Sequence, residues 1–207
     1  MLRAGLRKTG ALLGVLACAC AFIPAQEQET LPAQLTQSGH IAVDGRPTPY
    51  LIRHLPVSSF PGMPGELIGL LNQRDCLIPQ TYEAHQPENV VHASLEHAGS
   101  SDWAILCSSN GTVSLLVYFS SAPTELKVLA AAPETERLQP RDTTGVLGFN
   151  WGIDAASPER IHQAQTGMAR RPPLLDHDTL ADSVIDHRTV YHFFSKSAWT
   201  VLEMPAD

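Results

Sequence analysis

Asn89-Val90-Val91-His92-Ala93-Ser94-Leu95, Trp103-Ala104-Ile105-Leu106-Cys107-Ser108 and Thr112-Val113-Ser114-Leu115-Leu116-Val117-Tyr118-Phe119 decide the fold of this chain. Each run is rich in β-branched, aromatic and aliphatic residues, the composition of a strand that packs on a pleated surface. Asn110-Gly111 separates the second run from the third. Asn-Gly between two such runs is a strong short-range hairpin signal, because both turn positions need positive φ. Leu126 to Ala131 adds a fourth strand, so residues 88–131 read as an antiparallel meander.

Upstream of the meander, His40-Ile41-Ala42-Val43 and Tyr50-Leu51-Ile52-Arg53-His54-Leu55 flank Asp44-Gly45 and Arg46-Pro47-Thr48-Pro49. This pattern predicts a short hairpin with a longer, proline-stiffened loop. Pro56 to Gly65 is irregular. Pro64 then opens a helix that runs to about Arg74, with Leu67, Leu70 and Leu71 on one face. Cys76 falls in the loop beyond it.

Downstream, residues 133–150 read as irregular. Ser157 is a good N-cap, Pro158 fits the first helical position and Gly167 ends that helix. Asp176 to Ile185 reads as a further short helix. Thr189 to Phe194 and Trp199 to Leu202 form a closing hairpin around Ser195-Lys196-Ser197. The expected fold is α+β: one domain over residues 39–205, with a mainly antiparallel sheet, made of meander and C-terminal hairpin, and two or three short helices.

The N-terminus decides the compartment. Arg3, Arg7 and Lys8 precede an uncharged run from Ala11 to Ile23. A spanning helix needs ~20 apolar residues, so this run is too short to remain in a bilayer. A basic start, a short apolar middle and small residues after it make residues 1–25 a secretory signal peptide. A buried helix would not need three clustered cations at one end. Cleavage fits after Ala21 or after Ala25. Leu16-Ala17-Cys18-Ala19-Cys20 also resembles a bacterial lipobox, which makes Cys20 and Cys18 candidate lipidation sites. Residues 26–38 are polar and aperiodic, a flexible linker. The expected location is therefore exported: periplasmic, extracellular or lipid-anchored to the envelope.

Export also frames the cysteines. Cys18 and Cys20 sit in the leader, which leaves Cys76 and Cys107. An even pair in an oxidising compartment reads as a disulfide, the alternative being two buried thiols. Closing a loop of about 30 residues would stabilise by roughly 3–4 kcal/mol in the chain-entropy model. The chain carries 14 basic and 21 acidic residues, net −7. Removing the leader takes three cations and no acids, so the mature chain is more acidic still. Such a chain lacks the basic footprint of a nucleic-acid binder. Its only expected membrane contact is a lipid anchor, and its expected partner is a protein or another envelope component.

Candidate chemistry is sparse. There is no Gly-x-Ser-x-Gly elbow, phosphate-binding glycine loop, His-Glu-x-x-His or Cys-x-x-Cys. No cofactor is called for. The densest ligand-type cluster is Asp176-His177-Asp178, Asp182 and Asp186-His187. On a helix, Asp178, Asp182 and Asp186 would share a face with His177 near its start, so His177, Asp178 and Asp182 are the metal candidates. The plainer reading is acids that complement a helix dipole or face solvent. Cys107-Ser108-Ser109 is the one local nucleophile candidate, without the nearby positive charge that would activate it. His92 on an alternating strand reads as a satisfied partner. Asn110-Gly111-Thr112 forms a glycosylation sequon, which would be incidental in a bacterial host.

Two resemblances follow from these segments. Pro87 to Leu95, Asp102 to Leu106, Cys76-Leu77-Ile78-Pro79-Gln80, and His177-Asp178 through Tyr191 with Trp199 resemble a group of exported bacterial proteins of unknown function. That resemblance implies localisation more than activity. The meander segment is also similar to a degenerate FG-GAP-type strand–loop–strand repeat. Gly99, Asp102, Ala104 and Ile105 match its late part, while Ala93, Ser94 and Ala98 replace its Gly-Asp pair and another acid. The resemblance implies a strand–loop–strand unit. Glu96 and Asp102 alone are too few oxygen donors for calcium. The expectation is thus a non-catalytic exported binding or interaction domain. Its rival is an exported hydrolase or metal-dependent enzyme using the His and Asp residues of the last third.

Overall fold

Asn110 and Gly111 both adopt positive φ, at 50° and 76°, and turn the chain between two long strands as their sequence demands. The structure, a computed structural model, describes residues 35–205. Residues 1–34, which include the expected leader with Cys18 and Cys20 and most of the expected linker, lie outside the described residues. The meander consists of β4 (Val90–Ala93), β5 (Asp102–Ser109), β6 (Thr112–Tyr118) and β7 (Lys127–Pro133), all paired antiparallel.

These strands belong to a nine-stranded sheet. The others are β1 (Leu35–Val43), β2 (Arg46–Pro56), β3 (Leu77–Gln80), β8 (Leu138–Pro140) and β9 (Leu147–Phe149). Its order is β7-β6-β5-β3-β2-β9-β8, with β1 beside β2 and β4 beside β5. Only β2 and β9 pair in parallel. A second sheet of four antiparallel strands runs β10 (Trp151–Ala156), β11 (Thr179–Val184), β12 (Arg188–Ser195) and β13 (Ala198–Val201). Two helices complete the α+β fold, α1 (Gly65–Asn72) and α2 (Pro158–Ala164). Ser157 caps α2 by accepting from the Arg160 N–H at 3.2 Å.

The central strand β5 is buried on both faces, which is why its sequence is a continuous apolar run rather than an alternation. Ala104 and Leu106 join Ile52, Leu115, Phe149, Trp151 and Leu180 in the core between the sheets. Trp103, Ile105 and Cys107 face Leu67 and Leu71 of α1 with Ile78 and Leu116. Cys76 and Cys107 are disulfide-bonded, their Cα atoms 5.3 Å apart, inside that second core. The bond ties the end of α1 to the middle of the sheet.

Four expectations are corrected. The segment 176–185 holds strand β11 (Thr179–Val184), not a helix. Thr179, Leu180 and Ala181 are buried there, and Leu180 joins the core between the sheets. Hydrogen bonding to β10 on one side and β12 on the other overrides the weak helical reading. Residues 133–150 hold β8 and β9 rather than irregular chain. The polar stretch assigned to a linker already forms β1 at Leu35. Pro47 and Pro49 do not stiffen a loop but lie within β2. Asp44 and Gly45, at φ 50° and 75°, make a two-residue turn, so Val43 and Arg46 form its hydrogen-bonded closing pair. Pro47 opposite Ala42 and Pro49 opposite His40 then fall at non-hydrogen-bonded positions, where the missing N–H would have pointed away from β1.

Candidate functional site

The residues with chemical potential are distributed through the fold as cross-links. His177 is buried, with Nε2 2.9 Å from the Phe194 carbonyl and Nδ1 2.7 Å from Asp176 Oδ1. Both ring nitrogens thus already lie against oxygen atoms of the protein itself. Asp178 Oδ2 accepts the Ser94 N–H at 3.1 Å, and the Asp178 N–H donates to the Ser94 carbonyl at 3.0 Å. Asp182 accepts from Trp151 Nε1 at 2.6 Å and meets His192 Nε2 at 3.3 Å. The three metal candidates therefore serve three different contacts. Their expected common helical face is absent because the segment is a strand. Among the described residues no group of three His, Cys, Asp or Glu side chains is placed to hold a metal ion.

β4, the loop after it and β5 make a strand–loop–strand unit, and Asp102 gives the loop its shape. Asp102 is fully buried. Its Oδ2 accepts the N–H groups of Leu95 and Glu96, at 3.0 and 2.8 Å, and the Ser100 hydroxyl. Its Oδ1 accepts the Ser120 N–H at 3.0 Å. These donors occupy the carboxylate that a cation would otherwise use.

A serine, a histidine and a glutamate do meet, at His54, Ser108 and Glu134, all buried. Sequence reasoning missed this cluster because His54 and Glu134 are 80 residues apart and Glu134 lay in the stretch read as irregular. The order of contacts is wrong for nucleophilic catalysis. Glu134 Oε1 accepts from both Ser108 Oγ and His54 Nε2, the latter at 2.7 Å, so the carboxylate lies between serine and imidazole. A catalytic serine instead gives its proton to the imidazole. Burial alone raises the Glu134 carboxyl. The hydrogen bonds from His54 and Ser108, with the charge of the ring, outweigh it and hold the group below its ordinary value. Cys107 is committed to its disulfide and is no nucleophile.

An open cleft of about 920 Å³ lies along the β11–β12 turn. Asp186, His187, Arg188 and Tyr191 line it with Met204. Asp186 is held by the Tyr82 hydroxyl at 3.1 Å. His92 stacks on Trp103 and bonds Ser101 at 2.7 Å, as a satisfied partner.

The exposed backbone is more distinctive. Residues 40–49 form a two-stranded arm, and the side chains of residues 35–49 are all exposed or half-exposed. Among the described residues β1 pairs only with β2, so its outer edge presents free N–H and C=O groups. Native sheets guard such edges with charge, proline, bulges or shortness. The other edges follow that rule. Strand β7 carries Lys127, Pro133 and a register shift; β8 has three residues and ends in Pro140; β13 has four. Strand β10 meets Asn89, which accepts the Ile153 N–H at 3.1 Å. Strand β1, Leu-Thr-Gln-Ser-Gly-His-Ile-Ala-Val, is nine residues long with no Lys, Arg, Asp, Glu or Pro.

No family model, no curated protein and no solved structure matches this chain.

Proposed function

We propose that this chain is a non-catalytic binding domain exported to the bacterial cell envelope, and that it engages its partner by strand addition along β1. The observation that carries the reading is the unguarded nine-residue edge of β1, whose last four residues, His40–Val43, lie with Arg46–Pro49 beyond the part of β2 that pairs with β3 and β9. An extended segment laid along this edge would gain main-chain hydrogen bonds for affinity and alternate side-chain contacts for specificity. The leader segment supports the envelope as the place of action. The acids and histidines support a binding role, because their hydrogen bonds are spent within the fold: Asp178 joins the two sheets, Asp182 holds Trp151 inside the second sheet, and Glu134 holds His54 and Ser108.

The test places a photoreactive residue at His40, on the outer edge of β1, in the chain expressed with its leader. The control places it at Val128 on the guarded strand β7. Strand addition predicts specific adducts from position 40 after illumination and none from position 128. Equal labelling from both positions, or none from position 40, would overturn it.

A further inference from the structure

We infer that the strand added to β1 is β1 of a second copy, antiparallel and in register about Gly39. The inference rests on the strand-addition reading and names its occupant. Its first support is hydrogen-bond parity. Val43 and Arg46 close the two-residue turn as a hydrogen-bonded pair, so the odd residues of β1 bond inward to β2. Thr36, Ser38, His40 and Ala42 therefore turn their N–H and C=O groups outward. About a two-fold axis at Gly39, Ser38 falls opposite His40 of the other copy and Thr36 opposite Ala42. Each outward-facing residue meets another outward-facing residue, and each such pair exchanges two hydrogen bonds.

The second support is the side-chain pattern. The same register sets Leu35 opposite Val43 of the other copy, and Gln37 opposite Ile41. Leu35 and Val43 are 51% and 39% exposed, two of the few large apolar side chains left to solvent. They stand at the two ends of β1, equidistant from Gly39. They would meet at non-hydrogen-bonded positions, where opposed side chains come closest. Gly39 at the axis has no side chain, and the Tyr50 ring of β2 fills that space, 2.8 Å from where a Cβ would stand. Tyr50 thus blocks any larger residue there and leaves the two backbones free to approach.

The third support is electrostatic. Two copies of an acidic chain repel, and the cost is least where the facing surfaces carry no charge. Strand β1 is uncharged throughout. The opposite edge of the arm, at Pro47 and Pro49, lacks the N–H donors for a new ladder. The arm therefore has one open edge and one closed edge. A two-fold pair through the open edge is a closed, isologous contact that does not propagate into fibres.

Sedimentation velocity on the exported full chain over a wide concentration range tests this, with Ser38→Pro and His40→Lys as variants. Ser38→Pro removes an outward N–H and none of the β1–β2 ladder, and His40→Lys places two ammonium groups near the axis. We expect the mass to double with concentration in the wild type and to remain that of one chain in both variants. Register is read by oxidative cross-linking. A mixture of Leu35→Cys and Val43→Cys chains should form a covalent dimer, while neither chain should do so alone. A wild type that stays monomeric throughout, or Leu35→Cys chains that cross-link to themselves, would overturn the inference. A monomeric wild type whose position 40 still yields adducts with a different protein would sink the second copy and leave strand addition standing. A monomeric wild type with no adducts would sink both.

Discussion

Ser94 and Asp178 bridge the two sheets by exchanging hydrogen bonds, Asp178 N–H to the Ser94 carbonyl at 3.0 Å and Ser94 N–H to Asp178 Oδ2 at 3.1 Å. Ser94 follows β4 and Asp178 precedes β11, so the pair fixes the end of a strand in one sheet against the start of a strand in the other.

Asp178→Ala removes the acceptor of a partly buried N–H and should cost about 1–2 kcal/mol. Asp178→Asn keeps a carbonyl acceptor and should cost less than half of that. Urea unfolding of both variants measures the difference. The same curves with added Ca²⁺ or Zn²⁺ decide whether this carboxylate also binds a metal ion. Metal-dependent stabilisation in the wild type that vanishes in Asp178→Asn would restore Asp178 as a ligand.

Asn89 is the second bracket between the sheets. It is buried at φ 69°, and its Nδ2 donates to the Pro79 and Trp151 carbonyls at 2.7 and 3.2 Å while Oδ1 accepts from Ile153. Asparagine tolerates the left-handed region better than most residues, and its amide supplies both donor and acceptor. Asn89→Ala leaves two carbonyls and an N–H unpaired in the core and should cost about 3–5 kcal/mol. Asn89→Gly loses the same bonds but relieves the backbone, so it should be milder by about 1 kcal/mol. Equal losses in the two would show that the backbone conformation contributes nothing.

The Cys76–Cys107 bond gives a third test. Both sulfurs lie in the core under α1, so reduction must free the helix end from the sheet. Loop-closure entropy over the 31-residue separation predicts a loss of about 3–4 kcal/mol for the Cys76→Ala/Cys107→Ala double variant. The thermal midpoint of the wild type should fall to near that of the double variant when reductant is added. A wild type indifferent to reductant would remove the bond from the stability of the fold.

The meander was legible because turn chemistry and apolar runs agree there: Asn110-Gly111 could only turn, and both faces of β5 are buried. Ser157-Pro158 was legible for the same local reason. The sequence around Asp178 misled because i, i+4 spacing falls on one face of a helix and also on one face of a strand. Only the neighbours β10 and β12, far away in sequence, choose between them. Pro47 and Pro49 misled because proline argues against a strand until the hydrogen-bonding parity of each position is known. The His54–Glu134 contact left no sequence trace, since no local pattern joins residues 80 positions apart. The first part of β1, residues 35–38, was hidden for another reason: it is polar and aperiodic, which reads as a linker, whereas His40–Val43 already reads as a strand.

Glu134 gives the fold a calculable response to acid. Its carboxyl is held below the ordinary value of 4.5, because the bonds from His54 and Ser108 outweigh the opposing effect of burial. In the unfolded chain the group returns to that ordinary value. Between the two values the unfolded chain binds more protons, so stability rises with pH across that window. The contribution is complete above the unfolded value and is lost as pH falls through the folded one. Glu134→Gln keeps the shape and an acceptor for Ser108 but carries no charge. The stability gap between wild type and Glu134→Gln, measured by urea unfolding at a series of pH values, should be widest near neutrality. It should narrow only below about pH 4.5. Parallel curves down to the lowest pH would mean that the carboxylate charge adds nothing to the cluster. The buried contact would then be held by shape and neutral hydrogen bonds alone.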